Sequence, residues 1–225
     1  MRRIATLAAA LVLSSSAFAL SLADLTQKDA SGGLKDALIQ GAQVAVQQLG
    51  KPGGFSNNPD VRIELPGKLG KAAKTMKMMG MGAQVDQLEA SMNQAAEAAV
   101  PQAQALLVES VKKMTVQDAK SILTGPQDSA TQYLNKTSRE QLRAQFLPIV
   151  KQATDQVGLA KQYNAFAGQA ATFGVIDAKS ASIENYVTEQ ALDGLFEMIA
   201  KQEASLRQNP AGAATSLAKK VFGAL

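Results

Sequence analysis

The sequence predicts an all-α protein, a single-domain multi-helix bundle with one irregular strap over about 50–66. Three observations support this fold class. Apolar residues recur at steps of three or four in nearly every segment, which is the periodicity of one helix face. The connections between segments are short and carry glycine and proline. At 225 residues, 46% apolar and 19% charged, the chain has the composition of a globular protein.

The first nineteen residues have the pattern of a secretory signal peptide. A basic start is followed by an apolar run over 4–13 and by a small-x-small cleavage site at 17–19. We therefore expect export with cleavage after Ala19, and a single all-α domain over 20–225. No later apolar run reaches the length of a membrane span.

The N-terminal half of the mature chain begins with helical periodicity over 21–49. We expect two pieces there, the second capped by Ser31 and ended by Gly50. The strap follows, and because 61–65 alternates like a strand with no sheet to join, it is expected to be extended or to form a short hairpin. A basic helix is predicted over 67–81.

The longest apolar periodicity in the chain lies in the middle of the sequence. It predicts a helix over 83–99 and a second, angled helix over 101–114. Pro101 separates the two, since an internal proline removes a backbone hydrogen bond and clashes with the preceding turn.

The C-terminal half contains further predicted helices. Thr115 is expected to cap a short helix with Asp118 in its first turn. Asp128 can cap another, and Pro148 predicts a kink or a break in the longer helix that follows. The remaining bounds, taken from periodicity and from Gly and Pro positions, are 139–157, 159–170, 181–207 and 210–223.

The composition excludes several classes of function. The chain has no histidine and no cysteine, which removes histidine-based triads, Cys–His dyads and the usual zinc, copper and iron sites. We therefore expect no metal, no cofactor and no catalytic motif. Without the two arginines of the signal peptide, 21 basic residues face 19 acidic ones, and a net charge of +2 is too small to indicate nucleic-acid binding.

A polar row beside the central apolar stripe is the first candidate site. Asp86, Glu89, Asn93 and Glu97 recur at steps of three and four and therefore share one flank of the helix. Such a row can line a cleft that binds a cation or a sugar, with Asp118 as a neighbouring candidate. The simpler alternative is a solvated helix edge, with Asp118 serving only as a cap. Burial of Asn93 and Glu97 would favour a site.

Four lysines on the basic helix form the second candidate surface. Lys68, Lys71, Lys74 and Lys77 lie on one side of the helix, with methionines and alanines opposite. Basic amphipathic helices can lie on anionic lipid, which would give peripheral membrane contact. An ordinary solvated face is the alternative, and four glycines in and beside the segment weaken it as an autonomous membrane binder.

Several strings of the sequence resemble the bacterial domain-of-unknown-function family 4197. They are SMNQAAEAAVP at 91–101, MTVQDAKSILTG at 114–125, YVTEQALDGLF at 186–196 and LGKPGGFSNNPDVRIELPG at 49–67. The resemblance implies an exported helical protein of Gram-negative bacteria, located in the periplasm. The family carries no activity or ligand that could be transferred to this chain.

Three hypotheses for function follow. The first is a non-catalytic periplasmic protein that binds a small molecule or an envelope protein in a groove beside helix 83–99. The second is a carboxylate-based enzyme acting on cell-wall glycan, since two carboxylates in unequal environments can cleave a glycosidic bond. The third is association with the envelope surface through the basic helix 67–81.

Overall fold

The computed structural model describes residues 25–78, 80, 82–155, 161, 163 and 182–225. The described residues are helical over most of their length and contain no strand, so the all-α prediction is confirmed. The helices are α1 (Gln27–Leu49), α2 (Gly67–Met78), α3 (Ala83–Ala99), α4 (Ala103–Lys113), α5 (Val116–Leu123), α6 (Ser129–Asp155), α7 (Ile183–Gln208) and α8 (Ser216–Phe222), with short 3-10 turns at Val100–Gln102 and Pro210–Gly212.

The described helices pack around one continuous apolar core. Helix α1 contacts α4, α5, α7 and α8. Helix α6 lies along α7, and α3 packs against both α6 and α7. The largest side chains buried between these helices are apolar: Leu34, Leu49, Met92, Leu107, Leu134, Leu142, Phe146, Ile183, Leu192 and Leu195. Within the described part of the chain, no helix is long and apolar enough to cross a membrane.

The break at Pro101 is confirmed. Helix α3 ends at Ala99, a 3-10 turn runs over Val100–Gln102, and α4 begins at Ala103. Proline is tolerated in the first turn of a helix because its missing N–H would have no partner there. The chain therefore restarts as α4 directly after the proline.

The cap of α5 is also confirmed. The Thr115 hydroxyl accepts from the Asp118 backbone N–H at 3.1 Å, and the Asp118 carboxylate accepts from the Thr115 N–H at 2.8 Å. These reciprocal bonds form a capping box, which satisfies backbone donors that a helix N-terminus otherwise leaves free.

The two-piece prediction for the first helix is wrong. Helix α1 is continuous from Gln27 to Leu49, and its cap is Thr26, whose hydroxyl accepts from the Asp29 N–H at 3.1 Å. Ser31 lies inside the helix and is buried. Because Thr26 caps the helix, Ser31 can lie on its buried face instead. The position of Ser31 in the sequence therefore did not identify the start of α1.

The predicted boundary before residue 139 is wrong as well. Helix α6 runs without interruption from Ser129 to Asp155 and contains Pro148 in its interior, so that proline does not end it. The Thr137 hydroxyl donates to the Tyr133 carbonyl at 2.8 Å, and the Ser138 hydroxyl donates to that of Leu134. These hydroxyls bond back within the helix rather than capping a new one.

The last predicted helices are confirmed in type, with one shifted start. Helix α7 matches the prediction for 181–207 within two residues at each end. Helix α8 begins only at Ser216, because Pro210 starts a 3-10 turn and Thr215 supplies the cap. The helix predicted over 159–170 lies outside the described residues, except for positions 161 and 163, which are helical.

The strap, residues 50–66, is irregular as predicted. Turns occupy 52–57 and 59–61, and 62–66 has no regular secondary structure, so the alternative of a short hairpin does not form within these residues. The alternating segment instead buries Val61 and Ile63 against the bundle. The Ile63 backbone bonds to a side chain of α3 rather than to another strand.

A buried ionic cluster ties α5, α6 and α7 together. The Glu203 carboxylate accepts from the backbone N–H groups of Ala130 at 3.2 Å and of Thr131 at 2.9 Å, at the start of α6. Arg207 donates to Glu203 at 2.9 Å and to the Ile122 carbonyl near the end of α5 at 3.2 Å. One acidic and one basic residue of α7 therefore satisfy the ends of two neighbouring helices.

Candidate ligand cleft between the strap and α3

The polar row predicted on α3 lies mostly beneath neighbouring segments. Glu89, Asn93 and Glu97 are 5%, 1% and 7% exposed, whereas Asp86 is exposed. Buried carboxylates and amides require partners, because desolvation without a hydrogen bond or a countercharge is unfavourable. The row is therefore not a solvated edge, and the partners of each member decide what it can do.

Asn93 uses its side-chain amide to hold the strap. Its Oδ1 accepts from the Ile63 N–H at 2.9 Å, and its Nδ2 donates to the Ile63 carbonyl at 2.9 Å and to the Glu89 carbonyl at 2.7 Å. The amide therefore provides Ile63 with the two bonds that a neighbouring strand would provide. Both N–H donors and the oxygen acceptor of the Asn93 amide are used in these bonds, so Asn93 positions the strap.

The two carboxylate oxygens of Glu97 differ in their hydrogen-bond partners. Its Oε1 accepts three hydrogen bonds, from the N–H groups of Phe55 and Ser56 at 3.1 Å each and from the Ser56 hydroxyl at 3.0 Å. Its Oε2 receives no hydrogen bond from any described residue, and no described cation forms an ion pair with the group. Glu97 thus keeps one acceptor oxygen available.

We call the opening beside Glu97 the α3 cleft. It has a volume of about 600 Å³ and lies between the strap and the C-terminal end of α3. Its lining residues are Gly50, Pro52, Gly53, Ser56, Asn57, Gln94, Glu97 and Ala98. Gly53 has φ +82°, and a Cβ there would lie 2.4 Å from Asn57 Nδ2, so the turn that forms this wall requires glycine.

Glu89 and Asp86 connect α3 to α2. Lys77 donates to the Glu89 carboxylate at 2.6 Å and lies 2.9 Å from that of Asp86. The bonds to Glu89 and then to Asp86 raise the pKa of Lys77 above its ordinary value of 10.5. Arg62 approaches Glu89 from the strap at 3.8 Å. These two carboxylates already face cations of the chain itself, unlike Glu97.

The basic helix has acidic neighbours. Lys74 lies 3.7 Å from Glu64 of the strap, and Lys77 is held by the α3 carboxylates. Lys71 is exposed, and the side chain of Lys68 lies outside the described part of the structure. The charges of Lys74 and Lys77 are thus offset within the chain, which reduces what they offer to an anionic surface.

Asp118 is separate from the α3 cleft. Its carboxylate accepts hydrogen bonds from the backbone N–H and the hydroxyl of Thr115, which in that order lower the pKa of the carboxyl below its ordinary value. It does not line the α3 cleft. The structure brings Glu97 to this cleft and gives Asn93, Glu89 and Asp118 identified partners elsewhere.

A second opening lies on the other side of the strap, and we call it the α7 cleft. It has a volume of about 830 Å³ and is lined by Ser56, Asn57, Pro59, Arg62, Glu64, Leu65, Pro66, Gly67, Tyr186 and Gln190. The Tyr186 hydroxyl donates to the Glu64 carbonyl at 2.8 Å. Burial raises the pKa of Tyr186 to about 12, so this donor stays protonated at neutral pH.

Sequence reasoning missed Ser56, Asn57, Arg62 and Gln94 as lining residues. A usable signal was present in the length of the strap, since connections of more than about 12–15 residues without secondary structure are often functional. One cleft lies on each side of this long segment. Across the described part of the chain, no group of acidic residues is arranged to hold a metal ion.

Comparison with known proteins identifies a family but no function. The model of a family described as "Protein of unknown function (DUF4197)" matches residues 24–223. No curated protein and no solved structure matches the chain.

Proposed function

Because the chain belongs to the DUF4197 family, whose description assigns no function, we propose a role from the geometry of its clefts. The protein is an exported, non-catalytic periplasmic protein that binds a small ligand in the α3 cleft. One observation carries this proposal. Glu97, which is 7% exposed, lines the α3 cleft, and its Oε2 receives no hydrogen bond from the described residues.

The chemistry of Glu97 indicates what the ligand must supply. The Glu97 oxygen that the strap leaves without a donor is not among the described buried polar atoms that lack a partner, so it remains accessible. A ligand that donates a hydrogen bond or brings a positive charge can form a charge-assisted bond with it. Asn57 and Gln94 add side-chain amides to the same lining. The ligand therefore carries an ammonium or another strong donor group.

The same cleft supports binding better than glycan cleavage. Glycosidases of the common type need two carboxylates about 5–9.5 Å apart, one on each side of the scissile bond. Among the described residues that line the α3 cleft, Glu97 is the only ionisable one. Glu89, the nearest carboxylate of the same row, is held by Lys77 at 2.6 Å.

Export rests on the N-terminal pattern of a basic start, an apolar run over 4–13 and small residues at 17 and 19. Intact-mass measurement on protein recovered from the periplasmic fraction tests it. The expected mass is that of a chain beginning at Leu20. A chain that retains residues 1–19, or one recovered only with the cytoplasm, would refute this part of the proposal.

Native mass spectrometry of the protein purified from its own periplasm tests ligand binding. The wild type is compared with Glu97→Gln, which keeps Oε1 for the strap and replaces Oε2 by an amide donor. Glu109→Gln, which removes an exposed carboxylate of α4 paired with Lys113, is the matched control. We expect a non-covalent adduct on the wild type and the control that is lost in Glu97→Gln. Equal adducts on all three proteins, or none on any, would contradict the proposal.

A further inference from the structure

The α3 cleft and the α7 cleft adjoin. Ser56 and Asn57 line both of them, so these two residues of the strap form the boundary between the two openings. Among the described residues, the bond of Asn57 is that of its backbone N–H to the Gly53 carbonyl at 3.0 Å, and its exposed side-chain amide has no partner there. A ligand that crosses the strap at this point can therefore enter both clefts.

Arg62 gives the α7 cleft a charge opposite to that of the α3 cleft. Its side chain is 47% exposed, and its nearest carboxylate, Glu89, lies 3.8 Å away and is bound more closely by Lys77. Like the 3.7 Å between Lys74 and Glu64, a separation of 3.8 Å is an ion-pair distance but is longer than a hydrogen bond. The planar guanidinium thus keeps donors for a ligand carboxylate, its preferred bidentate partner. Glu64, the acidic residue of this lining, lies 3.7 Å from Lys74.

The spacing of the two charges sets the length of the ligand. Arg62 lies 3.8 Å from Glu89, and Glu89 is eight residues from Glu97 on α3, which is about 12 Å along the helix axis at 1.5 Å per residue. The distance from Glu97 to Arg62 is therefore on the order of 8–16 Å, centred at about 12 Å. An extended peptide spans roughly 3.3–3.6 Å per residue. The separation therefore corresponds to a peptide of about four residues.

We propose that the ligand is a short extended peptide of about four residues with free termini, its ammonium at Glu97 Oε2 and its carboxylate at Arg62. The inference rests on the proposed function and specifies the ligand class for it. Peptide groups between the termini pass over Ser56 and Asn57, where the free side-chain amide of Asn57 supplies hydrogen bonds. Gln190 offers a second amide farther along the α7 cleft.

Calorimetric titration of the purified protein with tetra-alanine tests this inference. We expect saturable binding, and affinity weakened about tenfold or more when the peptide is N-acetylated or C-terminally amidated, because each cap removes one charge-assisted bond. Dialanine is expected to bind more weakly than tetra-alanine, since it cannot reach both charges. Binding that is insensitive to both caps would overturn the inference, as would no saturable binding.

Variants assign each peptide terminus to its residue. Glu97→Gln should bind tetra-alanine and its N-acetyl form equally, and Arg62→Gln should bind tetra-alanine and its amide equally. Glu109→Gln and Lys151→Gln remove exposed charges of the same sign elsewhere and should retain the full effect of both caps. Retention of both cap effects in Glu97→Gln and Arg62→Gln would overturn the assignment.

The two proposals can fail separately. An adduct that depends on Glu97 in native mass spectrometry, together with no binding of tetra-alanine, would refute the peptide class and leave the binding function in place. Failure of both experiments would refute both proposals.

Discussion

Asn93 pairs its side-chain amide with both backbone groups of Ile63, at 2.9 Å in each direction. The strap is thereby attached to α3 as a strand is attached to a sheet, although the described residues contain no sheet. Glu97 makes a similar attachment one helical turn further along, at Phe55 and Ser56. The walls of both clefts are therefore positioned by two polar residues of a single helix face.

Asn93→Ala should lower the free energy of unfolding by about 2–6 kcal/mol, because it leaves one buried donor and one buried acceptor of Ile63 without partners at about 1–3 kcal/mol each. Urea denaturation measures the change. Hydrogen exchange should also be faster at the Ile63 amide. Gln87→Ala, at an exposed position of the same helix, is the control and should change stability by less than about 0.5 kcal/mol. Equal effects of the two substitutions would contradict the role of Asn93.

Glu203→Gln should be among the most destabilising conservative substitutions, lowering the free energy of unfolding by about 3–5 kcal/mol. The side-chain NH₂ group of the new glutamine would point at a donor, either a backbone N–H of α6 or the Arg207 guanidinium. Arg207 would also lose its buried negative partner. Thermal and urea unfolding measure the loss. Glu197→Gln neutralises an exposed carboxylate of the same helix, and a comparable loss there would show that burial of the pair is not the cause.

Thr188→Val should stabilise the protein by about 1 kcal/mol. Thr188 is completely buried, and its hydroxyl has no hydrogen-bond partner among the described residues, so replacing it by a methyl group removes a desolvated polar group with little change in shape. Thr131→Val is the opposite control, because the Thr131 hydroxyl donates to Glu203 at 2.9 Å and its loss should destabilise. Calorimetric melting temperatures that move in the same direction for both variants would refute the prediction.

Acid should weaken the contact between α6 and α7 through Glu189. Burial favours a higher pKa for this carboxyl, but the bonds donated by Arg139 at 2.6 Å and Arg143 at 2.8 Å outweigh it, so the pKa lies below its ordinary value of 4.5. A lowered folded-state pKa contributes stability that is complete above the unfolded value and is lost as the pH falls through the folded one.

The free energy of unfolding, measured in urea from pH 7 to pH 3, should therefore fall below about pH 4.5. Glu189→Gln should be less stable at pH 7 and should show a shallower decrease with acid. A decrease as steep as that of the wild type would mean that other carboxylates account for the acid dependence.

Local signals predicted much of this structure correctly. Proline restricts its own backbone, so Pro101 marked the end of α3, and the Thr115–Asp118 capping box involves only neighbouring residues. Local signals gave wrong helix boundaries where a side-chain hydroxyl can form its hydrogen bonds either at the start of a helix or within one. Ser31 and Ser138 could cap a helix or lie within one, and the choice depended on the packing of α1 and α6 rather than on the serines.

The sequence by itself determined the helical periods, the family and the absence of histidine and cysteine chemistry, because these depend on residue identity and short-range geometry. It also placed Glu89, Asn93 and Glu97 on one flank of a helix. Only the tertiary structure decided which of them has an oxygen available. That outcome depends on where the strap crosses α3, since its backbone N–H groups occupy Glu97 Oε1 and leave Oε2 at the cleft. Contacts between residues about 40 positions apart are set by how the chain packs, and local sequence patterns do not encode them.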